Sequence, residues 1–239
     1  MSQEIKAILS EVFAKENIGL TDVQRDKFAL YYDILLEWNQ KMNLTAIQDA
    51  NDVAVKHFLD SALILSLVDD WNKKVIDIGT GAGFPGVPIK IMKPEAEVYL
   101  FDSLQKRINF LEHLCKELEI ETKTIHGRAE DYGRDKVYRE QFDIVCARAV
   151  AKMPVLLEYC LPFVKEGGIF IALKGPELES ELEQCNKALK ILGGKIERIE
   201  QLTMADGNYT RNIAVIKKIK PCDKKYPRKA GTPQKNPLI

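Results

Sequence analysis

Residues 75–86 read VIDIGTGAGFPG: an apolar β-branched run that stops on glycine, then glycines at alternate positions 79, 81 and 83, and a fourth at 86. A short apolar run cut by glycines and followed by a new apolar segment predicts a strand, a tight turn and a helix in succession. Glycine there lets backbone approach a ligand with no Cβ in the way. The N–H groups at the start of a following helix are suited to an anion or a carboxylate. Three alternating glycines are more than a strand-to-helix turn needs. The unit then recurs. Lys74–Ile78, Val98–Asp102, Thr122–His126, Phe142–Ala147 and Ile169–Lys174 are strand-like runs, most of them separated by helical spacing such as Leu104, Ile108, Leu111, Cys115 and Leu118. This alternation predicts an α/β fold with a mostly parallel sheet and helices on both faces. Lys195–Met204 and Arg211–Ile219, joined by a polar turn around Asp206-Gly207-Asn208, predict a terminal hairpin that adds an antiparallel pair.

Before Lys74 there is no strand signal. Ile5, Ile8, Leu9, Val12 and Phe13 share a helical face, and Asn17-Ile18-Gly19 ends that helix. Thr21 with Gln24 is a capping-box pattern opening a second helix, whose stripe is Phe28, Tyr31, Leu35, Trp38 and Met42. A third helix is expected over residues 51–68. The organisation is a helical extension (1–70), an α/β domain (71–220) and a basic proline-rich tail (221–239). Residues 1–70 carry 12 acidic and 6 basic side chains, whereas 217–239 carry 8 basic and one acidic, with four of the ten prolines. Such a tail predicts an extended strip, either a solvated terminus or a polyanion contact.

The chain of 239 residues, 46% apolar and 29% charged, has an ordinary globular composition, and no apolar run reaches the length of a membrane span. The amphipathic, acidic start (MSQEIKAILSEV) is unlike a secretory leader. Five cysteines form no CxxC pair, and the three histidines sit far from any cysteine cluster, so no metal site or disulfide framework is expected and a reducing cytoplasm fits.

Two ligands suit the glycine loop. Gly81-x-Gly83-x-x-Gly86 matches the dinucleotide fingerprint, with Asp102 as a ribose ligand, which leaves NAD as a second reading. The better alignment places Asp77 inside the strand end and Gly79, Gly81 and Gly83 behind it, and so resembles the S-adenosylmethionine (SAM) loop of the Rossmann-like methyltransferases; the terminal hairpin resembles that fold too. Asp102 is then expected to accept two hydrogen bonds from a ribose diol, or to cap the helix that follows. Gly127-Arg128-Ala129-Glu130 follows the third strand, where that fold borders the adenine. Arg148, after the fourth strand, suits a phosphate or the edge of guanine, or a structural ion pair. Cys146 lies in an apolar run with no base beside it in sequence, so burial is expected. The Asn/Asp-Pro-Pro-aromatic stretch that often marks exocyclic-amine methyltransferases is missing after the fourth strand. Guanine N7 bears a lone pair and no proton, so methylating it calls for alignment rather than a general base.

Trp38-Asn-Gln-Lys-Met-Asn-Leu-Thr45, Lys56-His-Phe-Leu-Asp-Ser61, DIGTGAGFPG, Ala129-Glu130, Ala147-Arg-Ala-Val150 and Lys225-Tyr-Pro-Arg-Lys-Ala-Gly-Thr-Pro233 together resemble the bacterial 16S ribosomal RNA guanine-N7 methyltransferases, the glucose-inhibited division protein B family. The resemblance spans nearly the whole chain. It implies SAM-dependent methylation of a guanine in the 530-loop region of 16S rRNA, with Gly79, Phe84, Ala129, Glu130 and Arg148 contacting SAM. No catalytic base is implied, and Arg148 is the one candidate near the reacting atoms. Lys41, Asn43, His57, Lys224, Lys225, Arg228 and Lys229 are candidate RNA contacts. A cytoplasmic monomer with no membrane association is expected; an RNA-binding or NAD-binding protein without turnover is the alternative.

Overall fold

A computed structural model describes residues 2–204, Gly207 and 209–239. Seven strands form one sheet: β1 (Lys74–Ile78), β2 (Glu97–Asp102), β3 (Lys123–His126), β4 (Phe142–Arg148), β5 (Val164–Lys174), β6 (Gly194–Met204) and β7 (Tyr209–Lys218). Their order is β3-β2-β1-β4-β5-β7-β6. The first five are parallel, and β7 runs antiparallel to both β5 and β6. The expected parallel sheet with an antiparallel terminal hairpin is thus present. Asp206 and Asn208 of the expected turn lie outside the described residues. Because β1 pairs with β2 on one side and β4 on the other, the strand order reverses at β1, and a crevice opens beyond the carboxyl ends of β1 and β4.

Alternate strand residues face opposite sides of the sheet, and two apolar cores result. On one face Val75, Leu100, Ile144, Ile171 and Val215 pack with α1 (Ser2–Lys15), α2 (Asp22–Asn39), α5 (Gly86–Met92) and α6 (Gln105–Glu117). On the other, Ile76, Phe101, Val145, Phe170 and Ile216 pack beneath α8 (Met153–Cys160), α9 (Leu178–Glu183) and α10 (Asn186–Leu192). The helical extension belongs to the first core, so the packing is continuous across residue 70. Phe13, Phe28, Phe58 and Tyr31 are fully buried there, each such side chain contributing about 1.5–3 kcal/mol of transfer free energy. Thr21 and Gln24 form the expected capping box at α2.

Two expectations change. The third helix is not uniform: α3 (Ala50–Val53) runs into a π-helical turn (Ala54–Leu59), then α4 (Asp60–Ala62) and a 3-10 turn (Leu63–Leu67). Buried polar residues cause this: His57, Asp60 and Ser61 are buried alongside Val55, Phe58 and Leu59, more inward positions than one α-helical face supplies. The second change is the tail, which is folded rather than an extended strip. Cys222 and Leu238 join the second core, and Pro227 and Pro233 are buried. Arg139 donates to the carbonyls of Cys222 and Tyr226 at 2.8 and 2.6 Å, and a short helix α11 (Thr232–Lys235) follows. Backbone carbonyls without sheet partners took the arginines of the segment after α7 (Ala129–Tyr132) as donors.

Gly83 has φ +100°, and a Cβ there would stand 2.7 Å from the Tyr31 hydroxyl and 2.8 Å from Val87. Gly83→Ala is expected to cost about 1–3 kcal/mol in urea unfolding, from backbone strain of that order plus displacement of Tyr31.

Candidate cofactor site

The glycine loop leaves β1 and is pinned from beneath. The N–H groups of Gly79 and Thr80 donate to the Phe101 carbonyl at 2.8 and 3.0 Å, and those of Gly83 and Phe84 donate to Thr80 at 2.9 and 3.0 Å. Gly81 N–H donates to Asp102 Oδ2 at 3.0 Å. These donors are therefore engaged within the protein, contrary to their expected use on a ligand. Each glycine also has its own neighbour. A Cβ on Gly79 would meet Val150 at 2.6 Å, one on Gly86 would meet Leu100 at 2.5 Å and Asp77 at 3.0 Å, and one on Gly81 would meet nothing nearer than 3.9 Å. Only at Gly81 is the missing side chain replaced by open space.

Asp77 lies under the loop with no exposure. Its Oδ2 accepts from Thr80 Oγ1 at 2.6 Å and from Gly86 N–H at 2.8 Å, while Oδ1 is buried with no hydrogen-bond partner. Burial pushes its pKa up to about 6. An acceptor left unpaired at this depth costs free energy that a cationic donor would recover. Asp102 is buried as well. It accepts from Leu104 N–H at 2.9 Å, from Gly81 and, at 3.3 Å, from Arg107. The expected cap is not formed: α6 begins at Gln105 with Leu104 as its N-cap and no side-chain cap, and Asp102 instead holds the turn before it. Its oxygens are not presented openly to a ribose, so its effect on a ligand passes through Gly81 and the adjacent Ser103.

Beside the loop an open pocket lies at the carboxyl edge. Ile78, Phe101 and Val150 give it an apolar floor, Gly79 and Ala129 close it, and Glu130 and half-buried Tyr159 stand on its walls. Residues 127–130 thus border the pocket as expected. Ser103, Val150 and Tyr159 were not singled out by sequence, since each is an unremarkable residue in a helical or loop segment. An apolar floor of Ile78, Phe101 and Val150 beside the polar side chains of Ser103, Arg128, Glu130 and Tyr159 suits a ligand with a flat aromatic part and hydrogen-bonding groups, as SAM has.

Arg148 ends β4 but does not face this pocket as a free donor. Its guanidinium donates to Asp60 Oδ2 at 2.8 Å, to the Lys56 carbonyl at 3.0 Å and to His57 Nδ1 at 3.3 Å. It lies 4.8 Å from the Phe84 ring centre. Asp60 is fully buried and also takes Arg211 Nε at 2.6 Å, and Arg211 in turn reaches the Tyr209 hydroxyl. The structural ion pair is therefore the reading of Arg148 that the geometry supports, and a direct reading of guanine is not. Phe84 is likewise enclosed. Its ring stacks on Tyr31 at 5.2 Å and on His57 at 4.6 Å, which ties the loop to the helical extension rather than opening the ring to a ligand.

His57 is corrected as an RNA contact for the same reason. It is buried, with Nδ1 3.1 Å from the Lys56 carbonyl and 3.3 Å from Arg148, and Nε2 2.8 Å from Thr45 Oγ1. Burial and the Arg148 charge lower its pKa to about 4.

The family profile described as rRNA small subunit methyltransferase G matches residues 24–213. This chain belongs to that family. Ribosomal RNA small subunit methyltransferase G of Acetivibrio thermocellus is 52% identical over 236 residues, 98% of this chain and 97% of the relative. The namesake from Alkaliphilus oremlandii is also 52% identical, covering 98% and 99%. Among solved structures, a SAM-dependent methyltransferase from Aquifex aeolicus superposes with a TM-score of 0.53 at 16% identity, covering 73% of this chain and 96% of that one. That likeness shows the fold.

The remaining candidates divide by exposure. Lys41 and Asn43 are exposed on the loop after α2, where Asn39 Oδ1 accepts from Leu44 and Thr45 N–H groups and shapes the turn. Lys224, Lys225 and Lys229 are exposed on the folded tail. Arg228 is withdrawn: its Nε and NH2 lie 2.9 and 2.7 Å from the oxygens of fully buried Glu158. All five cysteines are buried, and burial raises the Cys146 thiol well above its usual value.

Asp60→Ala leaves two enclosed guanidiniums without a counter-charge and is expected to cost about 3–5 kcal/mol in denaturant unfolding. The His57 pKa, lowered to about 4 from 6.5, makes a stabilising contribution that is complete above pH 6.5 and lost as pH falls through about 4. NMR titration of the His57 ring is the check, and a midpoint above 6 would contradict the enclosed site.

Proposed function

We propose that this protein transfers a methyl group from SAM to N7 of a guanine in the 530-loop region of 16S rRNA, acting as a cytoplasmic monomer on the small ribosomal subunit. The observation that carries this reading is membership of the small-subunit rRNA methyltransferase family over residues 24–213, joined to a pocket at the strand-order reversal. Around the loop, His57 is held neutral with both ring nitrogens engaged, and Cys146 is a buried thiol. A purine nitrogen with an available lone pair needs neither.

SAM supplies an electrophilic methyl group when bound. The chain's own contribution is placement. Gly79 and Ala129 bring backbone close to the ligand, Ile78, Phe101 and Val150 exclude water, and Glu130 and Tyr159 present polar atoms at the pocket wall. Asp77 holds the loop from beneath through Thr80 and Gly86, and Asp102 holds Gly81 in place. Arg148 and Phe84 act from behind the loop, fixing it against the helical extension. Lys41, Asn43, Lys224, Lys225 and Lys229 are the proposed RNA contacts, with the phosphate backbone as their target.

Methyl-labelled SAM incubated with small subunits lacking the modification is expected to label one guanine at N7; labelling of a pyrimidine or an exocyclic amine would overturn the assignment. Asp77→Asn preserves shape and an acceptor for Thr80 and Gly86. The same variant reports on stability. The Asp77 pKa is raised to about 6, so its stabilising contribution is full below about 3.8 and lost as pH rises through 6. The asparagine variant lacks that decline. Replacing Lys224, Lys225 and Lys229 by alanine is expected to flatten log affinity for RNA against log salt by about 2–3 units.

A further inference from the structure

The cofactor pocket is walled by two short helices that carry little stability of their own. Helix α7, which supplies Ala129 and Glu130, is a single turn of four residues, and α8, which supplies Tyr159, has eight. Isolated helices of this length are unstable, so neighbouring groups must hold them. Much of that holding comes from the chain after β7.

Residues 222–231 cross both helices and fasten to them beside the pocket. Arg228 meets Glu158, the residue next to Tyr159, with its backbone N–H at 2.7 Å and its guanidinium on both carboxylate oxygens. Glu158 has no exposure, and Arg228 is only partly exposed above it. Gly231 N–H donates to Glu130 Oε1 at 2.9 Å, and Glu130 is itself a wall of the pocket. Beyond the end of α7, Arg134 Nε donates to the Pro227 carbonyl at 2.6 Å, and Pro227 packs close to Gly133, where an added Cβ would stand 3.0 Å from its Cγ. One strap thus grips α7 at both ends and α8 next to its pocket residue.

We infer that residues 222–231 are a strap whose docking is thermodynamically coupled to the cofactor, with Arg228 as a positioning residue that holds Glu130 and Tyr159 in their binding positions. The inference rests on the pocket reading above. A ligand lying against Ala129, Glu130 and Tyr159 favours the arrangement that the docked strap maintains, so strap and ligand each raise the other's affinity by the same factor. The exposed Lys224, Lys225 and Lys229 then serve as reporters, because trypsin reaches them when the strap lifts.

The test uses the full chain. In Arg228→Met the Kd for SAM, read by calorimetry, is expected to rise at least tenfold, while kcat on small subunits at saturating SAM stays within about twofold of the parent. Arg228→Lys, which keeps one charged contact to Glu158, is expected to recover part of the affinity. Saturating SAM is expected to slow tryptic cleavage after Lys224, Lys225 and Lys229 in the parent. A general folding defect would lower kcat as well and would leave no rescue by lysine. Should Arg228→Met fail to fold, Glu158→Gln, which keeps the shape and removes the charge, is measured in the same way. Unchanged SAM affinity in a folded variant, or cleavage indifferent to SAM, overturns the inference. Ala129→Trp, which fills the pocket, separates the two levels. Full SAM affinity in that variant removes the pocket reading and the strap with it, whereas lost affinity there beside an unchanged Kd in Arg228→Met removes the strap inference alone.

Discussion

Asp60 is a carboxylate without solvent contact that faces two guanidiniums, Arg148 from β4 and Arg211 from β7. Its own backbone belongs to the helical segment that follows the π turn, so three distant stretches of chain converge on two oxygen atoms. A charge at that depth is tolerated only with close partners and full hydrogen bonding, and the partners here come with theirs. Arg148 also reaches the Lys56 carbonyl and His57, and Arg211 also reaches the Lys174 carbonyl. The cluster sets where the helical extension sits on the sheet, and through Phe84 it sets the height of the glycine loop. Much of the loop's geometry is therefore imposed from behind rather than by the residues within it.

That arrangement changes what the glycines are for. Gly83 admits the Tyr31 hydroxyl, whose partner is the Ala82 carbonyl, and Gly86 admits the carboxylate of Asp77. Gly79 makes room for Val150. A motif that reads as a ligand cradle is, at three of these four positions, a device for packing two layers against one turn, with ligand access concentrated at Gly81. The same residues thus serve structure and binding at once, because the loop must be thin from both sides.

The sheet was legible in the sequence because its strands are apolar runs broken by glycine or polar residues, and the expected strand limits lie within two residues of those observed except at the start of β5, expected at Ile169 and found at Val164. Asp77, Asp102 and Ala129-Glu130 lie at or beside the site for the reason the spacing indicates, namely their place after strand ends. What spacing does not carry is partner identity. Arg148 reads as a free cation until Asp60, 88 positions earlier, is seen beside it. Arg228 reads as one of several tail cations until Glu158 is found buried beneath it. The π turn was illegible because helical periodicity averages over one extra residue, and Tyr159 because a single tyrosine in an apolar helix carries no pattern.

The position of β7 has a consequence for how the chain is made. This strand is inner in the sheet, hydrogen-bonded to β5 and β6 along nearly its whole length, yet it is the last of the seven to be synthesised. During translation β5 therefore presents an unpaired edge, with Phe170, Ile171, Ala172 and Leu173 along it, until residue 218 has emerged. Domains form as units and open strand edges invite wrong pairing, so the nascent chain carries that exposure until β7 is in place. The bulge at Glu197 and the charged pair Arg198 and Glu200 on β6 blunt the edge that remains once β7 has inserted.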